Sequence, residues 1–146
     1  MREIVEIILH CSATDEPNQN TLAAIQELHT SSQEVKFKWG EYSTRGKGFS
    51  WIGYHWLVDK NGNVYQGRSE SRQGAHCLNR NKSSIGICVA GNEHFNEVQF
   101  ASLRSLVKNI KQRHGLRGSC VRLHREFDHK KTCPNFTLDD CGLVGF

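Results

Sequence analysis

Long apolar runs and an N-terminal secretory segment are both missing from this sequence. No apolar stretch approaches the ~20 residues that a membrane-spanning helix needs. The N-terminus has no charged region, extended apolar region or small-residue cleavage site, because Met1-Arg2-Glu3 leads straight into a strand-like segment. We therefore expect a chain that is made in a cytoplasm without a signal peptide, does not insert into a membrane, and depends on another protein for any release from the cell.

Closely paired cysteines are missing too. No Cys-x-x-Cys pair or basic stripe occurs, which disfavours a zinc-stabilised nucleic-acid module. The six cysteines are scattered instead, at positions 11, 77, 88, 120, 133 and 141. In a chain without a secretory signal we expect reduced thiols rather than a disulfide framework. Cys11 and Cys88 stand among apolar residues and are predicted to be packing residues.

The composition is that of one folded unit. With 146 residues, of which 37% are hydrophobic and 23% are charged, the chain can bury one core but is too short for two domains of ordinary size. We therefore predict a single domain over residues 1–146, and we expect a monomer. The formal net charge of +4 favours an anionic polymer as the partner over a dedicated nucleic-acid target.

Hydrophobic patterning predicts a strand and a helix in the first part of the chain, and a hairpin after them. Residues 3–10 form an apolar run typical of a buried strand, and a helix is expected to begin near Asn20 or Thr21, either of which can cap it. The hairpin has strand-like segments at residues 54–58 and 64–66. An Asn-Gly pair between these segments is typical of a tight turn.

Alternation along the first hairpin strand makes a further prediction. Successive side chains of a strand point to opposite faces of the sheet. Tyr54 and Trp56 are therefore expected to share one face, and His55 and Leu57 the other.

The second half of the chain predicts a central strand, a long helix and a short last strand. Residues 85–91 are a continuous apolar run, which is typical of a strand buried on both faces. A helix is expected to begin after Asn96, which forms a capping-box pair with Gln99, and to stop at Gly115. Residues 120–123 predict a final strand. Strands that alternate with helices predict an α/β fold, a central mixed sheet flanked by helices.

Residues 31–50 lack periodicity and have an unusual composition. Aromatic residues, among them Trp39 and Tyr42, are mixed with basic residues and glycines. This mixture favours a surface loop that binds a flat or sugar-like ligand, and we assign Trp39 and Tyr42 to substrate binding. The alternative is a connection of no special role, in which the aromatic residues only hold the loop to the domain.

Three residues of metal-binding types fall where strands end. His10 closes the first strand, His124 closes the last, and Cys133 lies on the loop that follows. Adjacent strand ends can converge, and two neutral imidazoles with one thiolate suit zinc while leaving a fourth position for water or substrate. His129, five residues after His124, is the alternative second ligand. The pattern predicts a zinc centre of the catalytic kind.

A series of short motifs carries a resemblance to a known family. The motifs are His10-Cys11-Ser12-Ala13-Thr14, Gly53-Tyr54-His55, Asp59-Lys60-Asn61-Gly62 followed by Gly67-Arg68, Gly74-Ala75-His76, Ser84-Ile85-Gly86-Ile87-Cys88 and Lys131-Thr132-Cys133-Pro134. In their order and spacing, over nearly the whole chain, the sequence resembles the type 2 N-acetylmuramoyl-L-alanine amidases. This group includes the small phage amidases called lysozymes, and the peptidoglycan recognition proteins share the fold.

The resemblance implies roles for individual residues. One Zn²⁺ per chain would be held by His10, His124 and Cys133. Lys131 matches a catalytic lysine whose cation faces the carbonyl oxygen as negative charge develops, and Tyr54 matches a tyrosine that helps to hold or activate the zinc water.

Two further residues are matched to substrate binding. His76 corresponds to a histidine that lines the family's site, and Asn81 is assigned with it. His55 is expected to be structural, because alternation directs it away from the face of Tyr54.

The activity that the resemblance implies is hydrolysis of the amide between N-acetylmuramic acid and L-alanine in peptidoglycan. Without a signal peptide, the chain is expected to be a phage or prophage endolysin that reaches the cell wall through a separate membrane lesion. The alternatives are a non-catalytic peptidoglycan-binding module, which Cys133 disfavours, and a cytosolic muropeptide-recycling amidase. A protein partner is a further option, because some phage amidases bind an RNA polymerase.

Overall fold

A computed structural model of the chain describes residues 2–30, 35–36, 42–43 and 52–146, with the backbone alone at residues 30, 35, 36, 42 and 43. Within these ranges, no helix is both long and apolar enough to cross a membrane. Besides short 3-10 helices, the elements follow in the order β1 (Glu6–Cys11), α1 (Leu22–Thr30), β2 (Val35–Lys36), β3 (Tyr42–Ser43), β4 (Trp56–Val58), β5 (Val64–Gln66), β6 (Ser84–Val89), α2 (Glu97–His114), β7 (Val121–Leu123) and α3 (Leu138–Cys141).

One five-stranded sheet forms the centre of the fold, in the order β5-β4-β6-β1-β7. Neighbouring strands are parallel except β4 and β5, which form an antiparallel hairpin. Every residue of β1 and β6 is buried, as expected for strands covered on both faces. The predicted mixed sheet is confirmed, and so is the central position of the strand predicted at residues 85–91.

α2 covers one face of this sheet. Its start is fixed by a capping box, in which Gln99 N–H donates to the Asn96 side chain at 2.9 Å and Asn96 N–H donates to the Gln99 side chain at 3.1 Å. Gly115 ends the helix with a positive φ of 64°, which costs glycine little. The predicted helix is confirmed. The core on this face includes Ile7, Leu9, Ile85, Ile87, Leu103, Val107 and Ile110.

The opposite face carries α1 and a smaller apolar cluster, in which Ile25 packs with Ile52, Leu57 and Cys88. The start of α1 is confirmed at Thr21, whose hydroxyl accepts a hydrogen bond from Ala24 N–H at 3.1 Å. Since Ile7 and Leu9 of β1 face α2, the side chain of His10 must point to this second face.

The face predicted for Tyr54 is wrong. Tyr54 packs with Leu57 on the α1 face, whereas Trp56 packs on the α2 face. The regular strand begins only at Trp56, and just before it Gly67 N–H and Arg68 N–H donate in succession, to the His55 and Tyr54 carbonyls. In a regular antiparallel ladder successive N–H groups point in opposite directions, so the alternation breaks at this point.

Within residues 31–50 the structure describes one short ladder, which the sequence did not predict. β2 and β3 pair antiparallel, Val35 with Ser43 and Lys36 with Tyr42. Strands of two residues are too short to show a period of two, which explains why the pattern indicated only a loop.

Candidate active site

The candidate site lies at the carboxyl ends of β1 and β7. These strands are parallel neighbours in which Leu9 pairs with Leu123, so His10 and His124 follow at the same level of the sheet. Their ring centroids are 4.4 Å apart. One ring nitrogen of each histidine and Cys133 Sγ lie within 4.8 Å of one another. In the described part of the chain this is the only such group of three or more potential ligands, and it joins the three residues predicted to hold the metal.

Cys133 reaches the two histidines because the loop after β7 folds back. Arg125 N–H donates to the Cys133 carbonyl at 2.8 Å and closes the loop near its two ends. Cys11 N–H, at the end of β1, donates to Cys133 Sγ at 3.1 Å. A backbone donor to sulfur favours the thiolate form that a metal requires.

The donor set fits zinc. In the protein without a cation, the hydrogen bond with the Cys11 thiol and then burial raise the pKa of the Cys133 thiol. A divalent cation at the sulfur reverses that direction, because a coordinating thiol is deprotonated. Two imidazoles and one thiolate form a borderline-soft set, and three protein ligands instead of four are the arrangement of catalytic zinc.

His10 is suited to be a ligand because it is neutral. Its side chain is only 1% exposed. Burial, followed by the neighbouring imidazoles of His76, His124 and His29, lowers its pKa well below the ordinary value. A neutral imidazole keeps the lone pair that metal coordination needs.

Tyr54 stands beside the ligands. Its ring centroid is 5.1 Å from that of His10 and 5.0 Å from that of His29. His29 Nδ1 accepts a hydrogen bond from Gly53 N–H at 2.8 Å, which holds the segment before β4 against α1. Burial and then the nearby thiols raise the pKa of Tyr54 well above its ordinary value. The hydroxyl is therefore protonated at neutral pH and can donate.

Lys131 and His129 both lie on the loop that carries Cys133. Lys131 is exposed, and its backbone N–H donates to the Asp128 carbonyl at 3.0 Å. His129 is exposed and does not belong to the ligand group. A catalytic part for Lys131 stays a prediction that rests on its place two residues before Cys133.

His76 is buried beside His10 and bonds within the protein. Its Nδ1 lies 2.9 Å from His10 Nε2, and its Nε2 lies 3.2 Å from Ser84 Oγ. Asn81 holds the same segment, because its side-chain oxygen accepts from the His76 and Cys77 N–H groups at 2.8 and 2.9 Å. A substrate contact by His76 or Asn81 stays a prediction.

His55 has partners for both ring nitrogens. Nδ1 accepts from Gly86 N–H at 3.0 Å, and Nε2 lies 2.8 Å from the Arg72 carbonyl. Burial lowers the pKa of His55 to about 4. These contacts support the structural part expected for this residue.

The side chains of the two loop residues assigned to substrate lie outside the part of the chain that the structure describes. Trp39 lies outside the described residues, and Tyr42 is described only as backbone in β3. Their contact with substrate stays a prediction.

A family model described as N-acetylmuramoyl-L-alanine amidase matches residues 1–136, a range that contains the three clustered ligands. The chain belongs to this amidase family. The endolysin of Escherichia phage T7 is 31% identical over 140 residues, which cover 90% of this chain and 81% of that endolysin.

Solved structures show the same fold. The N-acetylmuramoyl-L-alanine amidase LysC from Clostridium intestinale superimposes with a TM-score of 0.78 at 23% identity, over 98% of this chain and 85% of LysC. A mutant of Drosophila PGRP-LB, solved in complex with tracheal cytotoxin, superimposes with a TM-score of 0.71 at 19% identity, over 92% of this chain and 76% of that chain.

Sequence reasoning missed two neighbours of the ligands in this amidase fold. Cys11 was predicted as a packing residue, and it is buried, but its N–H also holds the Cys133 sulfur. Ser84 was given no part, yet its hydroxyl lies at hydrogen-bond distance from His76. The position of Cys11 directly after His10 was a usable signal. Ser84 begins one of the motifs that carry the family resemblance, but its contact with His76 depends on tertiary packing, which that motif does not show.

Proposed function

We propose that the chain is a zinc-dependent N-acetylmuramoyl-L-alanine amidase that hydrolyses the amide between the lactyl group of N-acetylmuramic acid and the L-alanine of the stem peptide. The observation that carries the proposal is the convergence of His10, His124 and Cys133, within 4.8 Å, in a chain of the amidase family. A peptidoglycan-binding module that cuts nothing has no need of three converging ligands with an open fourth position.

Each ligand residue has a separate task in this proposal. His10 and His124 supply neutral imidazoles from two neighbouring strand ends, and Cys133 supplies negative charge from the loop. Cys11 N–H steadies that charge on the sulfur. When bound at these residues, zinc supplies a Lewis acid for the amide carbonyl and lowers the pKa of water toward about 7.

Lys131 and Tyr54 complete the chemistry that the chain supplies. The Lys131 ammonium is proposed to stabilise negative charge on the amide oxygen as the carbonyl carbon becomes tetrahedral. The leaving amine must gain a proton when the C–N bond breaks, and the protonated Tyr54 hydroxyl is the proposed donor or relay. Water supplies the oxygen that replaces the amine on the carbonyl carbon, so the products are the lactyl carboxylate of the sugar and the free amine of L-alanine.

The biological setting proposed for this activity is the bacterial cell wall. The endolysin relatives, from Escherichia phage T7 and Klebsiella phage KP32, match 90% and 94% of the chain. We therefore propose a phage or prophage endolysin, active as a monomer of one amidase domain, that reaches peptidoglycan through a lesion made by another protein.

Product analysis on whole sacculi tests the proposal. Purified protein loaded with zinc should release stem peptides with a new free amino group on L-alanine, without new reducing sugar ends. Chelator treatment should stop the release and added zinc should restore it. Binding to sacculi without any release would support a non-catalytic module instead. Cleavage of soluble anhydro-muropeptides with intact sacculi left uncut would support a recycling amidase.

A further inference from the structure

His76 fits into a slot that two glycines leave open. A Cβ atom on Gly86, in the middle of β6, would lie 2.5 to 2.7 Å from three atoms of the His76 ring. A Cβ on Gly74 would lie 2.6 Å from the same ring. Real Cβ contacts do not come this close, so any larger residue at either position would displace the imidazole. The ring is 9% exposed and its orientation is fixed by its surroundings.

Hydrogen bonds define which nitrogen of His76 carries the proton. Ser84 Oγ donates its one proton to the Arg80 carbonyl at 2.8 Å. Ser84 can then only accept from His76 Nε2, which lies 3.2 Å away, so His76 Nε2 is the protonated nitrogen. A neutral imidazole that is protonated on Nε2 has only Nδ1 left as an acceptor, and His76 Nδ1 faces His10 Nε2 at 2.9 Å.

The tautomer of His76 in turn sets the tautomer of the first ligand, His10. His10 Nε2 lies 2.9 Å from His76 Nδ1 and must donate to it, because His76 Nδ1 has no proton to give. A neutral His10 that is protonated on Nε2 has its lone pair on Nδ1. Carbonyl, hydroxyl and two imidazoles thus form one chain of hydrogen bonds that runs in a single direction.

We infer that His76, held by Ser84 in the slot beside Gly74 and Gly86, is a positioning residue that fixes the tautomer and orientation of His10 so that Nδ1 faces the metal. The inference rests on the zinc site of the proposed function and deepens it. It replaces substrate binding as the part played by His76, whose two ring nitrogens are engaged inside the protein. Partners of this kind typically change metal affinity 10- to 100-fold.

Nitrogen NMR of the metal-free protein tests the hydrogen-bond chain without any turnover. The ¹⁵N shifts of both imidazoles should report the tautomer protonated on Nε2, for His10 and for His76. Protonation of His76 on Nδ1 would overturn the inference, because His10 could then not donate to it. Zinc added to the same sample should shift the Nδ1 resonance of His10 and leave its Nε2 proton in place.

Zinc affinity of three variants gives the second readout, by competition with a chromophoric chelator. His76→Leu should bind zinc 10- to 100-fold more weakly than the wild type. His76→Asn keeps an acceptor near the Nδ1 position and should recover most of that loss. Gln99→Leu is the matched control, since it also replaces a buried side chain with two hydrogen bonds by leucine, but on the α2 face. It should lose stability while its folded fraction keeps wild-type zinc affinity.

The outcomes separate this inference from the zinc site itself. Tight zinc binding by the wild type and equal binding by His76→Leu would overturn the positioning role and leave the site intact. A wild type that binds no zinc would overturn the proposed function first, and the inference with it. A drop in sacculus binding by zinc-loaded His76→Leu, at unchanged zinc affinity, would return His76 to the substrate.

Discussion

The two halves of the candidate site differ in how the protein holds them. The first half is borne by the sheet, where His10 lies in a strand paired on both sides and is 1% exposed. The second half is the loop from His124 to Cys133, which carries exposed charged residues such as Lys131. The sheet holds the neutral His10 imidazole in a buried place, whereas the loop carries the Cys133 sulfur and the Lys131 ammonium.

One metal would need both halves, because each supplies what the other cannot. A buried strand end holds an imidazole accurately but cannot hold an unpaired charge at low cost. A surface loop tolerates a charged side chain because water solvates the charge. Such a loop positions a ligand well only when hydrogen bonds hold the loop in place. The Arg125 N–H to Cys133 carbonyl bond and the Cys11 N–H to Cys133 sulfur bond are of this kind.

The largest effect is expected when the loop half loses its sulfur ligand, Cys133. Cys133→Ala should lower the zinc content from one per chain to near zero and abolish amide cleavage, because two imidazoles alone bind zinc weakly. Metal analysis of the dialysed protein measures this. Cys141→Ala, which removes a buried thiol in α3, should keep its zinc. Full retention of zinc by Cys133→Ala would refute the ligand assignment.

The next effect concerns the charge on the same loop. Lys131→Ala should keep its zinc and its melting temperature but turn over about 100- to 1000-fold more slowly, the cost typical of losing one donor to a developing oxyanion. The neighbouring exposed lysine gives the control, and Lys130→Ala should behave like the wild type. If turnover of Lys131→Ala stays within about threefold, less than a kcal/mol, the lysine is not the oxyanion partner.

The stability of the fold should be sensitive to acid through Glu70, which bonds to Trp56 in β4 and to Arg113 and His114 at the end of α2. Burial alone would raise the pKa of Glu70, but hydrogen bonds from Arg113, His114 and Trp56 lower it from 4.5 to about 2. A carboxyl whose pKa is lowered by folding stabilises the fold at a pH above its unfolded-state pKa, near 4.5. This stabilisation is lost as the pH falls toward 2. We expect unfolding free energy to drop by on the order of 2 kcal/mol over that range, after allowance for solvent screening.

Denaturant unfolding of Glu70→Gln against pH checks this. The variant should be less stable than the wild type at pH 7, and the difference between them should shrink as the pH approaches 2. Equal slopes for the two proteins between pH 4.5 and pH 2 would mean that Glu70 does not control acid sensitivity.

The smallest effect is expected from the aromatic residues within residues 31–50. Replacing Trp39 and Tyr42 by alanine should raise the apparent KM on sacculi with little change in kcat or melting temperature, because aromatic faces are proposed to stack on sugar rings. Binding to sacculi and thermal unfolding are the two measurements. A lower melting temperature at unchanged binding would show that these residues hold the loop to the domain instead.

Sequence predicted those parts of the fold that carry strong local signals. The apolar runs of β1 and β6 and the Asn96–Gln99 capping pair each specify an element without help from distant residues. The convergence of His10 and His124 was also predictable, since adjacent parallel strands end at one edge of the sheet.

What the sequence did not predict depends on contacts between distant segments. Tyr54 does not share the face of Trp56, because the successive N–H groups of Gly67 and Arg68, which follow β5, both bond to carbonyls just before β4. The place of His76 depends on Ser84 and on the space above Gly86, and the motif that contains both residues does not show their contact with His76. A histidine near a site looks alike in sequence whether it faces substrate or supports a ligand.

X-ray absorption at the zinc edge of the reconstituted protein reports whether the sheet and the loop hold one metal together. We expect one zinc per chain with two nitrogen ligands at about 2.0–2.1 Å and one sulfur at about 2.3 Å, completed by one light atom. The Cys133→Ala protein should lack the sulfur distance. A zinc shell without sulfur in the wild type, or with several sulfurs, would contradict this expectation.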